Sequence, residues 1–215
     1  QSIAVFGQVD WQVTDTLKLT GGLRYTHDKK EGTEAFRIIC LGCAPGTTPD
    51  DLGILTPGID LTTTFASALP APGVSTPLII DPVTGQAIRG LEDTWEAVTG
   101  TAGIEWSPDR DTLAYARYSR GYKSGGFNAG GISLLPRTDP EQVDAFELGL
   151  KRNWGGDFQL NAAAYYYNYK DLQVPLTVII PGGASLTEFF NISESHSYGI
   201  ELEALWRPTD DHQIM

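Results

Sequence analysis

The stretch from Phe146 to Tyr169 constrains this chain more than any other. Read with a period of two, Phe146, Leu148, Leu150 and Trp154 fall on one face of an extended strand, and Ala145, Glu147, Gly149, Lys151 and Asn153 fall on the other. Gly155-Gly156-Asp157 then turns the chain. The alternation resumes with Phe158, Leu160, Ala162, Ala164 and Tyr166 opposite Gln159, Asn161, Ala163, Tyr165 and Tyr167. Each arm runs about ten residues, the length a tilted strand needs to cross a bilayer and well beyond the ~5–6 of a soluble strand. A soluble sandwich alternates as well, but here Glu147 and Lys151 oppose a smooth apolar band, as expected when one face meets lipid and the other a wet lumen.

The same pattern recurs along the chain. Ile3, Val5, Val9, Trp11 and Val13 alternate with Gln8, Asp10 and Gln12, and after a turn at residues 14–16, Leu17, Leu19, Leu23 and Tyr25 oppose Lys18, Thr20, Arg24 and Thr26. A third strand is expected from Trp95 to Trp106, with Val98, Ala102, Ile104 and Trp106 outward; residues 107–111 turn it into a fourth from Thr112 to about Tyr122. In that fourth strand Arg117 and Arg120 have opposite parity. An Arg facing lipid near mid-membrane costs roughly 2–4 kcal/mol, so Arg117 is placed inside and Arg120 at the outer interface, where its side chain can reach headgroups. A last strand carries Tyr198, Ile200, Leu202, Ala204 and Trp206 outward and Glu201 and Glu203 inward, then turns at residues 208–211. The expectation is an all-β antiparallel meander of seven long strands with the start of an eighth, too few to close.

Two asymmetries orient the meander. Its turns at residues 14–16, 107–111, 155–157 and 208–211 are short and must share one rim. The other connections, 28–93, 123–141 and 171–194, are long, as on the outer rim of outer-membrane barrels. The first of these contains seven of the thirteen prolines and loses all alternation; a small hairpin is expected near Ile79. Four of the five tryptophans, Trp11, Trp106, Trp154 and Trp206, come just before the short turns on the outward face, the placement of an interfacial girdle.

Composition excludes other classes. The net charge of −12, with no basic cluster, argues against nucleic acid. No apolar run is long enough for a membrane helix, so a membrane reading requires a barrel. The chain opens mid-pattern at Gln1 and stops where a new strand would begin, so it is expected to be an internal piece.

The strings FGQVDWQVTDTLKLTGGLRYTHDKK, LAYARYSRGYKSGGFN, FELGLKRNW, LNAAAYYYNYKDLQV and SYGIELEALWRP resemble the barrel of TonB-dependent outer-membrane receptors, importers of ferric siderophores and similar scarce nutrients in Gram-negative bacteria. The resemblance covers nearly all the strands and fades across residues 28–93. It implies a 22-stranded barrel holding an N-terminal plug, absent here. It also implies energy coupling through the TonB–ExbB–ExbD system, a setting of lipid and lipopolysaccharide, and a ferric-siderophore-like ligand. Sites in the family use outer loops and lumen-facing aromatics and cations; by position, Tyr122, Lys123, Phe127, Tyr165 and Tyr167 are the candidates here. Passive porins share the girdle and the loop asymmetry, and a barrel enzyme would keep its catalytic group outside this segment, so both remain alternatives.

The remaining constellations carry less. Cys40 and Cys43 form a CxxC pair, which can mark a redox motif or half a zinc site; with neither a helix start nor a nearby His, a local disulfide in an oxidising compartment fits better. His27, His196 and His212 lie at scattered strand ends, and no metal site or cofactor is expected. Arg24, Arg117 and Lys151 share the inner face with Glu147, Glu201 and Glu203, and a charged lumen ladder needs no chemistry. No enzyme motif is present.

Overall fold

In the computed structural model, residues 1–40, 59–64, 78–128, 133, 136–179, 185–209 and 212–214 are described. The strands in chain order are β1 (Ser2–Thr14), β2 (Leu17–Phe36), β3 (Ile39–Cys40), β4 (Ile59–Asp60), β5 (Ile79–Ile80), β6 (Ala87–Asp109), β7 (Thr112–Lys123), β8 (Gly126–Phe127), β9 (Arg137–Thr138), β10 (Glu141–Trp154), β11 (Phe158–Ile179), β12 (Ser185–Thr209) and β13 (His212–Ile214). The seven long strands and β13 pair strictly in the order β1-β2-β6-β7-β10-β11-β12-β13, every neighbour antiparallel. β5 adds to the start of β6, giving the small hairpin expected near Ile79.

Register sorts the two faces without exception through the central strands. Leu19, Ile104, Ala116, Leu148, Ala164 and Ile200 form one cross-strand row, and the adjacent row is Thr20, Gly103, Arg117, Glu147, Tyr165 and Gly199. Because side chains alternate, these rows face opposite ways. The apolar face is left uncovered: Leu202 is 72% exposed, and Ile200, Leu148, Leu23 and Val98 are also exposed. Ala87, Leu91, Trp95 and Ala97 are buried on the inner face of β6, and Pro136 of the second connection is buried as well. An apolar sheet face open along its whole length is what lipid, rather than a protein core, would cover.

The apolar band has two borders. Trp206, Phe158 and Trp154 lie near the short turns, and Tyr198, Tyr166 and Phe146 stand eight residues further along the same strands. Eight residues span about 26 Å along a strand. Two residues beyond the upper ring the outward positions become His196, Asn168 and Asp144. The lower aromatic ring follows from the tryptophan pattern; the upper one was not anticipated.

Two loop expectations require correction. β2 continues to Phe36 and β6 begins at Ala87, so the first connection is shorter than residues 28–93, and the segment 171–194 is largely a continuation of β11 and β12, paired from Leu172↔Ile192 to Ile179↔Ser185. Beyond the band the outward face no longer meets lipid, and the inner face of β6 packs beneath the second connection through residues as unlike as Ala87, Arg89, Leu91 and Trp95, so period-two hydrophobicity fades while backbone pairing continues. Pro175, which argues against a central strand, lies where β10 no longer flanks β11. Of the short turns, the one at 155–157 uses Gly155 and Gly156 at φ of 63° and 88°, a region that glycine alone occupies without strain, and the Gly156 N–H donates to Asn153 Oδ1.

Candidate functional site

The inner face carries a polar ladder in which most groups are already engaged. Lys18 Nζ approaches Glu105 at 3.4 Å, the Tyr115 hydroxyl donates to Glu147 at 2.6 Å, Asn161 Nδ2 donates to Glu203 at 2.9 Å and Thr20 Oγ1 donates to Asp10 at 2.6 Å. Arg117 faces inward between Gly103 and Glu147, and Arg24 donates to Thr26 at 3.1 Å. Lys151 and Glu201 are exposed on the same face. Between β1 and β7 these side chains leave a groove of about 340 Å³ lined by Asp10, Lys18, Glu105, Tyr115 and Arg117. A larger hollow of about 780 Å³ is walled mainly by Leu19, Ile104, Phe146 and Leu148 of the apolar face.

Arg120 faces outward, as its parity requires, but it does not reach away from the protein. Its Nε and Nη2 donate to Asp144 at 2.7 and 2.9 Å, and the Tyr118 hydroxyl donates to the same carboxylate at 2.6 Å. The pair neutralises both charges where the apolar band ends.

Above the band, the second connection folds inward to make the mouth. β8 and β9 form a two-stranded ribbon, extended by the Asn128 N–H donating to the Pro136 carbonyl. On one side the ribbon rests on the inner face of β2 and β6. Trp95 is 3% exposed, its ring centroid lies 5.6 Å from that of Phe127, and Lys30 and Arg137 stand over the indole at 5.6 and 5.8 Å. Lys30 Nζ donates to the Gly125 carbonyl at 2.6 Å, and Arg137 pairs with both Asp93 and Asp139. Farther from the band along β6 lies the fully buried Arg89, donating to Glu34 at 2.6 Å and to the Ser133 carbonyl at 3.2 Å. Gly125 has no room for a side chain, because a Cβ would overlap the Trp95 indole and the Thr138 carbonyl.

On the other side, three carboxamides bind the connection to β11 and β12. Asn128 exchanges both hydrogen bonds with the Phe189 backbone, at 3.0 and 2.8 Å. Asn191 does the same with Asp139, at 2.9 and 2.9 Å, and also donates to the Asp171 carbonyl. Gln173 Nε2 donates to the carbonyls of Ser124 and Asp139 at 3.1 and 2.9 Å.

The mouth shifts the ionisation of several groups, Asp93 and Tyr122 among them. Burial alone would raise the Asp93 carboxyl, yet the Arg137 guanidinium and the Thr94 N–H outweigh it and hold the group below the ordinary aspartate value. The Tyr122 hydroxyl is pushed up to about 12, by burial first and by the neighbouring Asp28 carboxylate second.

The five ligand candidates therefore occupy different settings. Phe127 packs on Trp95, Lys123 Nζ stands 5.7 Å over the Phe189 ring, and Tyr122 is half-buried beside Asp28. Tyr165 and Tyr167 pack with tilted rings, centroids 5.0 Å apart, on the inner face, where Tyr165 also covers Gly199. The histidines stay apart: His27 meets Glu96 at 3.0 Å, His196 meets Tyr166 at 3.0 Å, and His212 meets Thr209 at 2.8 Å. Among the described residues no cluster of His, Cys, Asp and Glu is arranged to hold a metal ion. Cys40 is disulfide-bonded, and Cys43, the only other cysteine, lies outside the described residues. Trp11, Trp106, Trp154 and Trp206 are all exposed on the outward face. Sequence reasoning missed Trp95 and the carboxamide clamp. Trp95 was the detectable signal, since it is the one tryptophan that precedes no short turn.

Comparison with known proteins follows this geometry. A family model described as "TonB dependent receptor-like, beta-barrel" matches residues 1–211. The pesticin receptor of Yersinia enterocolitica is 24% identical over 212 residues, covering 96% of this chain and 24% of that receptor. The structure of the ferric yersiniabactin uptake receptor FyuA from Yersinia pestis superposes with a TM-score of 0.60 at 21% identity, over 97% of this chain and 24% of that one. The copper transporter OprC superposes with a TM-score of 0.61 at 17% identity, over 99% of this chain and 28% of that one. The chain thus spans about a quarter of the length of the curated relatives it matches.

Proposed function

Because the chain belongs to the TonB-dependent receptor family, in its β-barrel portion, and so to the outer membrane of a Gram-negative bacterium, we propose that it forms wall and mouth of an importer for a ferric siderophore or a similar scarce metal chelate. A plug elsewhere in the full protein blocks the lumen, and TonB, driven by ExbB–ExbD, pulls on that plug to admit the ligand. The observation that carries the reading is the division of one sheet into an apolar band bordered by aromatic rings and an opposite face of engaged polar groups, capped by a folded mouth. That division suits a lipid-embedded wall around a filled lumen better than a soluble domain. The tyrosines, Arg and Lys on the inner face suit recognition of a polar ligand. The neighbour named for ferric yersiniabactin uptake favours an iron chelate as the cargo, and Lys123, Phe127, Tyr122, Tyr165 and Tyr167 are proposed to meet it.

The test is uptake by intact cells carrying the full-length protein, offered a panel of radiolabelled ferric chelates, in paired strains with and without TonB. Accumulation of one chelate that depends on TonB supports energised import. Equal accumulation in both strains would leave a passive channel in its place.

A further inference from the structure

The ribbon at the mouth is held differently on its two sides, and that difference assigns a direction of movement. Toward β2 and β6 its contacts are a buried indole, Phe127 packed against it with the rings tilted, a glycine in van der Waals contact and the buried Arg89–Glu34 pair. Toward β11 and β12 they are carboxamide hydrogen bonds, most of them exposed to solvent. Exposed amide bonds exchange readily with water, whereas separating a packed aromatic core exposes apolar surface. Both sets of anchor residues, Trp95 and Asp93 on one side and Gln173, Phe189 and Asn191 on the other, have inward parity, so the ribbon bridges the inner face above β7 and β10.

We propose that the ribbon Gly126–Asn128 with Pro136–Thr138 is a strap across the mouth, hinged on the Trp95 core of β2 and β6 and released from β11 and β12 by parting the Asn128, Gln173 and Asn191 bonds. Residues on the inner wall below it become accessible from outside only when that side lets go. The direction of the wall rests on the importer reading, but strap motion needs neither a ligand nor TonB.

The experiment uses the full-length protein in intact cells, with Ser119→Cys on the inner wall below the strap and a membrane-impermeant maleimide as the probe. Asn191→Ala combined with Gln173→Ala removes several bonds from the release side, so the labelling rate is expected to rise about tenfold or more. Asn128→Ala cuts the remaining reciprocal pair and must move labelling the same way. Lys30→Met, on the hinge side, leaves the indole and Phe127 in contact and is expected to keep labelling within about twofold. Unchanged labelling in the carboxamide variants, with barrel assembly intact by heat-shifted electrophoretic mobility, would overturn the strap. Opening by Lys30→Met as large as that by the Asn191 variant would overturn its polarity. Loss of TonB-dependent uptake with these labelling ratios intact would count against the importer and leave the strap standing.

Discussion

The Tyr165 side chain lies across Gly199, its direct partner on β12, with the phenolic oxygen 2.7 Å from where a Cβ on that glycine would stand. Tyr115 covers Gly149 on β10 in the same way, while its hydroxyl donates to Glu147. In both pairs an inward aromatic ring fills the gap that a glycine leaves in the sheet, so neither glycine is replaceable without moving a ring. Gly149→Ala and Gly199→Ala are each expected to destabilise the assembled barrel by about 1–3 kcal/mol through overpacking. Tyr115→Ala in the Gly149→Ala background removes the clash, so the double variant should lose less than the two single losses added. The check is the urea midpoint of the full-length protein in detergent; strict additivity would show that ring and glycine do not interact.

Leu202 and Glu201 are neighbours in sequence with opposite environments. Leu202 lies midway between Trp206 and Tyr198 on the outward face, whereas Glu201 faces the lumen. Leu202→Arg is expected to cost roughly 2–4 kcal/mol, the value for a cation on the lipid face near the bilayer centre, while Glu201→Arg should stay within about 0.5 kcal/mol. Folding into lipid vesicles, followed by denaturant titration, reads both. Equal costs would mean that Leu202 does not face acyl chains.

How much of this was legible in the sequence depends on what surrounds each residue. Within the apolar band, one face meets a uniform solvent, so Leu148, Leu150, Ile200 and Leu202 announce both strand and direction by alternation alone. The inward placement of Arg117 and the outward placement of Arg120 followed from parity. What parity could not supply was the partner: Asp144, which binds Arg120 from the next strand, is 24 residues away, and register fixes that meeting. Above the band no face meets lipid, and the inner face of β2 and β6 buries Glu34 and Arg89 together with Leu91 and Trp95, so the extensions of β2, β6, β11 and β12 carried a weak periodic signal. The clamp made by Asn128, Gln173 and Asn191 was invisible for another reason. Carboxamides in loops are common, and only the folded positions of Phe189 and Asp139 give these three their role.

Arg89 and Glu34 form a buried ion pair beyond Trp95 at the base of the strap, and Arg89 Nη1 there has no acceptor among the described residues. Removing one member leaves a charge with no partner away from water, which costs about 3–5 kcal/mol, whereas replacing both with apolar residues of similar size costs far less. Glu34→Ala is therefore expected to speed hydrogen exchange across residues 87–95 more than Glu34→Leu combined with Arg89→Met. If the double variant exchanges faster than the single one, the pair itself, rather than the avoidance of a lone charge, holds the hinge.

Arg137 links the strap to β6 through Asp93, with Asp139 sharing the guanidinium and Lys30 standing across the Trp95 ring. Since the Asp93 carboxyl is held below the ordinary aspartate value of about 3.9, the pair contributes in full above that value and is lost as pH falls through the lowered one. Arg137 stays charged throughout, and no histidine bonds to the strap among the described residues. Loosening of the hinge should then be flat from pH 8 to pH 5 and rise only below about pH 4. Hydrogen exchange across residues 91–97, corrected for the intrinsic rate at each pH, measures it. Asp93→Asn should raise that exchange at every pH and abolish the acid limb, while labelling of Ser119→Cys, which reads the release side, stays within about twofold. A transition centred between pH 6 and 7 would instead require a histidine at the mouth and would remove Asp93 from the account.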